Sequence, residues 1–368
     1  MKNRGLPEQI AETIVSDVIL PRSLAPGDQL PTVRELQRKF EVSTSTISAA
    51  LDILEDQGTI SRQHRNGSFL KSQPSHAPAP GKTCRKIGLI YPAFTTKPLL
   101  KDILRGMERI CKAQRIELSV ATVETYGQEQ AKATEMAHAD LDALVIYPHP
   151  RTIKQFRSDY LASELPGLPI ILIDLAYPAQ MRTNITFDNY QLGFDITLKL
   201  LEEGHRNIAF KKLKSQNKEI HYRSNNDRYQ GYLDALQFKG ITPLPEFCWA
   251  ENFSIHLKPE EKLAIDFLRN FKEKPLAQRP TAVISLEDNH AAALIHCAKE
   301  LGIRIPEDLK IVGFDSNPDA HRLADIPFPT SCPDFEKMGS LAANLAIREV
   351  RSPSSPLNYV LPVELNWV

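Results

Sequence analysis

No run of about 18 consecutive apolar residues occurs in this 368-residue chain, so no bilayer-spanning helix is expected. The opening residues, MKNRGLPEQ, lack the apolar stretch of a secretory signal, and a cytoplasmic location without a membrane partner is the expectation. Cysteine is sparse: Cys84, Cys111, Cys248, Cys297 and Cys332 are scattered without a CxxC pair, which argues against a disulfide framework and a zinc cluster. Net charge is missing too. The 45 Lys and Arg residues balance 45 Asp and Glu residues, so bulk electrostatics announce no nucleic-acid partner. There is no GxSxG elbow, no P-loop, no HExxH and no Gly-rich dinucleotide fingerprint after the apolar run at 86–91. No cofactor or metal is expected, and an enzyme is disfavoured.

What is present is ordinary for globular protein, 42% hydrophobic and 24% charged, over a length that calls for two or three cores. The clearest boundary is SQPSHAPAPGKT at 72–83, where Pro, Ala and Ser replace the apolar periodicity; residues 72–85 are read as a linker. From Gln57 to Arg85 every formally charged residue is basic: Arg62, Arg65, Lys71, Lys82 and Arg85.

Residues 1–71 read as a DNA-binding unit. Ile10, Ile14 and Val18 share one helical face, and Pro21, Pro26 and Gly27 end that helix. Thr32 and Glu35 have capping-box spacing for a short second helix. Ser43 is a suitable N-cap for a third, in which Ile47, Ala50, Leu51 and Leu54 recur at helical spacing and Gly58 is the stop. Thr59–Gln63 and Ser68–Lys71 flank Asn66-Gly67, a dipeptide that favours a two-residue hairpin turn, which makes a basic wing. The apolar face of the third helix goes to the core. Thr44, Ser45, Thr46 and Ser48 are therefore left near its outward N-terminal end, where a recognition helix meets bases and phosphates. The alternative is a small helical interaction domain.

PGDQLPTVRELQRKF at 26–40, VSTSTISAALDILEDQGTI at 42–60 and NGSFL at 66–70 agree in order with the GntR family of bacterial regulators, and the unit resembles that family throughout. The resemblance implies that Arg34 grips phosphate, that the start of the third helix enters the major groove, and that the wing at His64, Arg65 and Gly67 reaches the minor groove. The family often has Arg where this chain has Thr44 and Ser48, so bidentate guanine readout is not offered from those positions.

After the linker, apolar runs at 86–91, 117–123, 142–147, 169–174, 207–210, 281–286 and 309–314 alternate with helical patterns, the rhythm of a doubly wound α/β protein with parallel sheets. In such sheets ligands collect at the carboxyl ends of strands, which singles out Thr95, Thr96, His149, Asp174, Glu287, Asp288 and Asp315, with Arg228 in DRYQGY as the cation. Several carboxylates with one Arg suit a hydroxyl-rich ligand. For any one Asp, a cap on the next helix is an equal alternative.

KIGLIYPAF, PIILIDL, FDNYQLGFDITLKLLEEGHRNIAF, DRYQGYLDAL, PTAVISLEDNHAAAL and ELGIRIPEDLKIVGFDS resemble the LacI/GalR effector domain, a relative of periplasmic sugar-binding proteins. The resemblance spans nearly all of 86–368 and implies a two-lobed domain, with lobe 1 at about 86–188 and 318–351 and lobe 2 at about 189–317 and 352–368. It matches Asp174, Arg228 and Asp315 to pocket positions that hold sugar hydroxyls, with Phe253 as a stacking surface. Together the two units imply a ligand-controlled repressor, homodimeric on operator DNA, with a monosaccharide effector. A purine or nucleoside effector stays open as an alternative, as does a sugar receptor without DNA function.

Overall fold

The structure is a computed structural model that describes residues 6–19, 27–40, 42–56, 58–63, 67–71, 83–93, 95, 97–149, 165, 167–174, 182–215, 223–244, 247–253, 260–353 and 356–368. Contacts divide the chain into Met1–Lys82 and Thr83–Val368. Most of the expected linker, like the expected site residues His64, Arg65 and Thr96, lies outside the described residues.

In the first unit, helix α1 (Leu6–Ile14) runs into a wider π turn at Val15–Ile19, and Ile10, Ile14 and Val18 are all buried. They pack on Leu36 of α2 (Val33–Phe40) and on Ile47, Ala50, Leu51 and Leu54 of α3 (Thr44–Asp56). The capping box closes both ways: Thr32 Oγ1 accepts from the Glu35 N–H at 3.3 Å, and Glu35 Oε2 accepts from the Thr32 N–H at 2.7 Å. Ser43 caps α3, its Oγ accepting from the Thr46 N–H at 3.2 Å.

The wing differs from the expected two-residue turn. Strands β1 (Ile60–Gln63) and β2 (Gly67–Leu70) pair antiparallel with Gln63 opposite Gly67, so Gly67 belongs to the strand rather than to a two-residue turn. A third segment sets this register: the Leu30 N–H donates to Ser68 O at 2.8 Å, and the Leu70 N–H donates to Asp28 O at 2.8 Å. Gly67 has φ +105° with the Gln29 side chain against it, a position closed to a Cβ.

The second unit holds two parallel sheets. The larger runs β13-β7-β6-β5-β3-β4, comprising β3 (Lys86–Pro92), β4 (Glu117–Val123), β5 (Ala143–Ile146), β6 (Ile170–Ile173), β7 (Thr183–Phe187) and β13 (Asn358–Leu361). Helices α4 (Lys97–Ala113) and α5 (Tyr126–His138) belong to the same lobe. The apolar runs ALVI and IILI of β5 and β6 are buried along their whole length, as strands covered on both faces must be. The smaller sheet runs β11-β10-β8-β9, comprising β8 (Ile208–Ser215), β9 (Cys248–Phe253), β10 (Ala282–Ile284) and β11 (Lys310–Val312). Around it lie α6 (Asn189–Glu202), α7 (Arg223–Phe238), α8 (Glu260–Glu273), α9 (Asp288–Glu300) and α10 (Pro318–Ala324).

Strand pairing and packing correct two of the expected lobe limits. Residues 318–328 belong to lobe 2, because Ala320, Ala324 and Phe328 pack into the core of the smaller sheet; the chain returns to lobe 1 only at Phe335, the start of α11 (Phe335–Arg351). Residues 352–368 do not all return to lobe 2. β13 pairs with β7 at the edge of lobe 1, after which Val363, Leu365 and Trp367 pack on the core of lobe 2. The two returning segments meet as an antiparallel pair, β12 (Thr330–Cys332) with β14 (Glu364–Asn366), among the crossovers.

Candidate DNA-reading surface and effector site

On the first unit, Arg34 is exposed on α2 and borders a surface cavity of ≈ 420 Å³ with Gln37, Arg38 and Val42. Thr44 and Ser45 are exposed at the α3 N-terminus; Thr46 and Ser48 are partly covered. The hydroxyls of Thr44, Ser45 and Thr46 are engaged locally. Thr44 Oγ1 donates to Gln37 Oε1 at 3.2 Å, while the Ser43 hydroxyl lies 2.7 Å from Thr46 Oγ1 and 2.8 Å from Ser45 Oγ. Ser43 satisfies the Thr46 N–H, and the dipole of α3 still favours an anion such as phosphate near its N-terminus. Of the basic wing residues, Arg62 pairs on the surface with Asp52 of α3, and its N–H donates to Glu55 at 2.7 Å.

In the second unit, four polar side chains meet between the lobes. Tyr147, just past β5, donates its hydroxyl to Asp174 Oδ2 at 2.6 Å. Asp174 directly follows β6 with φ +60°, its N–H donating to Ile185 O at 2.8 Å. From lobe 2, Arg228 Nη2 stands 3.9 Å from Asp315 Oδ1, in the loop after β11. Its guanidinium is fixed further by Nε donating to Asn189 Oδ1 at 2.7 Å, and its Cζ lies 4.2 Å from the centroid of the Phe314 ring. Arg228 owes its place to glycine: a Cβ at Gly193 of α6 would fall 2.0 Å from the Arg228 carbonyl oxygen, and one at Gly231 of α7 would fall 2.1 Å from Tyr190 O. Close backbone approach of α6 and α7 therefore sets Arg228 beside Asn189.

Burial pushes Asp174 up to about 6, with the hydrogen bond from Tyr147 opposing; the charge of Asp315 raises it further and that of Arg228 lowers it. Burial likewise raises Asp315, offset by Arg228. Burial and the neighbouring carboxylate hold Tyr147 protonated, well above its ordinary value, so it acts as a donor. Two buried carboxylates beside one fixed cation can accept from hydroxyl groups and donate to oxygens of a small molecule.

Asp315 also borders a cavity of ≈ 350 Å³ whose walls come from both lobes: Leu99, Lys101, Asp102 and Phe335 on one side, Glu287, Phe314 and Asn317 on the other. Glu287 precedes α9 and lines this space. Asp288 also reaches the lining, but its two carboxylate oxygens accept from the Thr330 hydroxyl and from the Asn317 N–H. Thr95 follows β3 with its Oγ1 buried and without a hydrogen-bond partner. Of Phe253 only the backbone, at the end of β9, is described. His149 is not in the constellation: its Nε2 lies 3.0 Å from Glu124 O and its N–H donates to the buried Glu129 at 2.5 Å. Reading the sequence missed Tyr147, Asn189 and Phe335. Each sits at a strand end or helix start, and Tyr147 carried the available signal, a polar-tipped residue closing the run DALVIY.

An N-terminal winged helix-turn-helix joined to a two-lobed α/β domain with a polar interlobe site defines a DNA-binding regulator governed by a small molecule. Residues 6–70 match the bacterial regulatory proteins of the gntR family, and residues 197–368 match the periplasmic binding protein-like domain. It is 26% identical over 362 residues to the arabinose metabolism transcriptional repressor of Geobacillus stearothermophilus, covering 96% of this chain and 94% of that one. It is 26% identical over 338 residues to the ribose operon repressor of Haemophilus influenzae, covering 88% of this chain and 93% of that one. The regulatory protein of the LacI family from Chloroflexus aggregans shares the fold, with a TM-score of 0.64 at 20% identity over 76% of this chain and 96% of its own. The protein is thus a transcription regulator rather than an enzyme. Among the described residues no helix is long and apolar enough to cross a membrane.

Proposed function

We propose that this protein is a cytoplasmic, homodimeric repressor that binds a monosaccharide between its lobes and releases its operator when the sugar is bound. The observation that carries the reading is the grouping of Tyr147, Asp174, Arg228 and Asp315 where the two lobes face each other. Asp174 and Asp315 accept from sugar hydroxyls, Arg228 donates to ring or hydroxyl oxygens, and the aromatic rings of Phe314 and Phe335 line the adjoining space. Relatives named as arabinose and ribose repressors support the same ligand class. On DNA, Arg34 and the α3 N-terminus with Thr44, Ser45, Thr46 and Ser48 take phosphate and base edges, with the wing around His64, Arg65 and Gly67 in the neighbouring groove. Two readers related by a twofold axis address a pseudo-palindromic site.

The test is binding of the full chain to DNA upstream of its own gene and its neighbours, titrated with L-arabinose, D-ribose, other monosaccharides and nucleosides. Sequence-preferential binding weakened by one sugar is the expected outcome. Release by a nucleoside instead transfers the site to that ligand class, and absence of any sequence preference overturns the DNA-reading assignment.

A further inference from the structure

Asp315 stands at a place where the chain has little local freedom. Asp315 and Ser316 have φ of +84° and +49°, a region that non-glycine residues rarely occupy, and surrounding bonds must hold them there. Those bonds run to β12, one of the segments that crosses between the lobes. The Asp315 N–H donates to Ser331 Oγ at 3.1 Å, the Ser316 N–H donates to Thr330 Oγ1 at 3.3 Å, and the Gly313 N–H donates to Pro329 O at 2.8 Å.

Thr330 in turn donates its hydroxyl to Asp288 Oδ1 at 2.7 Å, while Asp288 Oδ2 accepts from the Asn317 N–H at 2.7 Å. One fully buried carboxylate at the start of α9 therefore grips both the far end of the Asp315 loop and the crossover strand. The grip is close: a Cβ at Gly313 would fall 2.0 Å from Asp288 Oδ1, so only glycine leaves room for it. His321 of α10, stacked on Phe328 with ring centroids 4.0 Å apart, stands 3.3 Å from Asp288 Oδ2 and closes the remaining side.

We infer that Asp288 is a positioning residue: with Thr330 it clamps the Asp315 loop to crossover strand β12, so that a ligand contact at Asp315 is felt in the strand that joins the lobes. The inference rests on the ligand-controlled reading proposed above and assigns Asp288 a coupling role in place of ligand contact. The Asp288 side chain is fully buried and Thr330, Asn317 and His321 surround its oxygens, so a sugar hydroxyl would have to displace one of these neighbours to reach it. The two states of such a hinge need differ only in how β12 seats, and whatever holds Asp315 to β12 transmits that difference.

The test uses the full chain with Thr330→Val, which keeps the side-chain shape and removes the hydroxyl, Thr330→Ser, which restores it, and Asp288→Asn, which keeps the size and offers one acceptor. Amide hydrogen exchange without ligand is read at residues 314–317 and 330–332, and DNA affinity is read with and without L-arabinose. In Thr330→Val and Asp288→Asn, protection at Ser316 and Asn317 should fall by about tenfold or more. The change in DNA affinity caused by L-arabinose should shrink at least about fivefold, within the usual range of allosteric coupling. Affinity without sugar should stay unchanged, and Thr330→Ser should behave as the parent. Unaltered exchange in both weakened variants overturns the clamp. A loosened loop with the full L-arabinose response overturns the coupling role. If L-arabinose leaves the parent protein unmoved, the choice of that sugar fails separately, the exchange result decides the clamp, and D-ribose replaces it for the coupling measurement.

Discussion

The two candidate binding regions of this chain are built on opposite plans. On the reader, Arg34, Thr44 and Ser45 stand in solvent on ordinary helical backbone, with Thr44 bonded to Gln37 and Ser45 beside the Ser43 hydroxyl, both near in sequence. In the effector domain, Asp174, Arg228 and Asp315 are drawn from widely separated segments, two of them on left-handed backbone, and each is tied to residues from another element. The difference follows from the ligands. A polyanion brings its charge to an exposed surface and is held by many weak, salt-sensitive contacts. A small neutral molecule offers few groups, so its partners must be desolvated and oriented before it arrives.

The largest effect should separate the regions most sharply. Arg228→Ala is expected to weaken sugar binding about 100-fold or more, near 3 kcal/mol, since it leaves Asp174 and Asp315 without their cation. Operator affinity without sugar should stay within about twofold in anisotropy titrations; a parallel loss of DNA binding would show that the regions are not independent. Next in size, Leu51→Ala empties a buried site shared by α1 and α3 and should cost the reader roughly 3 kcal/mol. Calorimetry should then show the reader melting earlier while the effector domain keeps its transition, and one merged shift would deny the division into two units.

Arg34→Ala should weaken operator and unrelated DNA alike, by roughly three- to tenfold, and reduce the salt slope by about one. A loss confined to the operator would make Arg34 a base reader instead. The smallest effect is a pH dependence. Because burial raises Asp174 to about 6, the empty folded protein binds a proton that the unfolded chain does not. The stability this adds is complete below the ordinary carboxylate range and is lost as pH rises through about 6. Sugar hydroxyls donate to the ionised form, so the sugar-induced rise in Tm should be larger at pH 8 than at pH 5. A larger rise at pH 5 would mean that the protonated carboxyl is the binding form.

Much of this was legible before any coordinates. The reader's capping box, N-cap and buried helical stripe are local features, and local spacing encodes them fully. The strands at 86–91, 142–147 and 169–174 announced themselves because sheet strands covered on both faces must be apolar. β7, Thr183–Phe187, was missed because its sequence TNITF is mostly polar; its buried Asn184 is matched by Asn358 of β13, a partner 174 residues away. The same distance hid the fate of the C-terminal strand, which no periodicity could divide between lobes. For the site, charge type and strand-end position pointed to Asp174, Arg228 and Asp315. Nothing local could reveal that Asp288 spends both oxygens on Thr330 and Asn317, or that Tyr147 faces Asp174.

The segment Asn358–Asn366 has a consequence for biosynthesis. It closes the edge of one lobe through β13 and carries Leu365 and Trp367 to the other, where the Trp367 Nε1–H donates to Glu203 at 2.6 Å. The core of the reader, by contrast, draws only on residues 10–70. As the chain leaves the ribosome, the reader has all it needs some 290 residues before either lobe can be sealed, roughly 15 to 60 seconds at ordinary elongation rates. A message cut short before Asn358 would therefore release a folded DNA-binding head on an unfinished sensor, a fragment able to contest DNA sites without answering to any ligand.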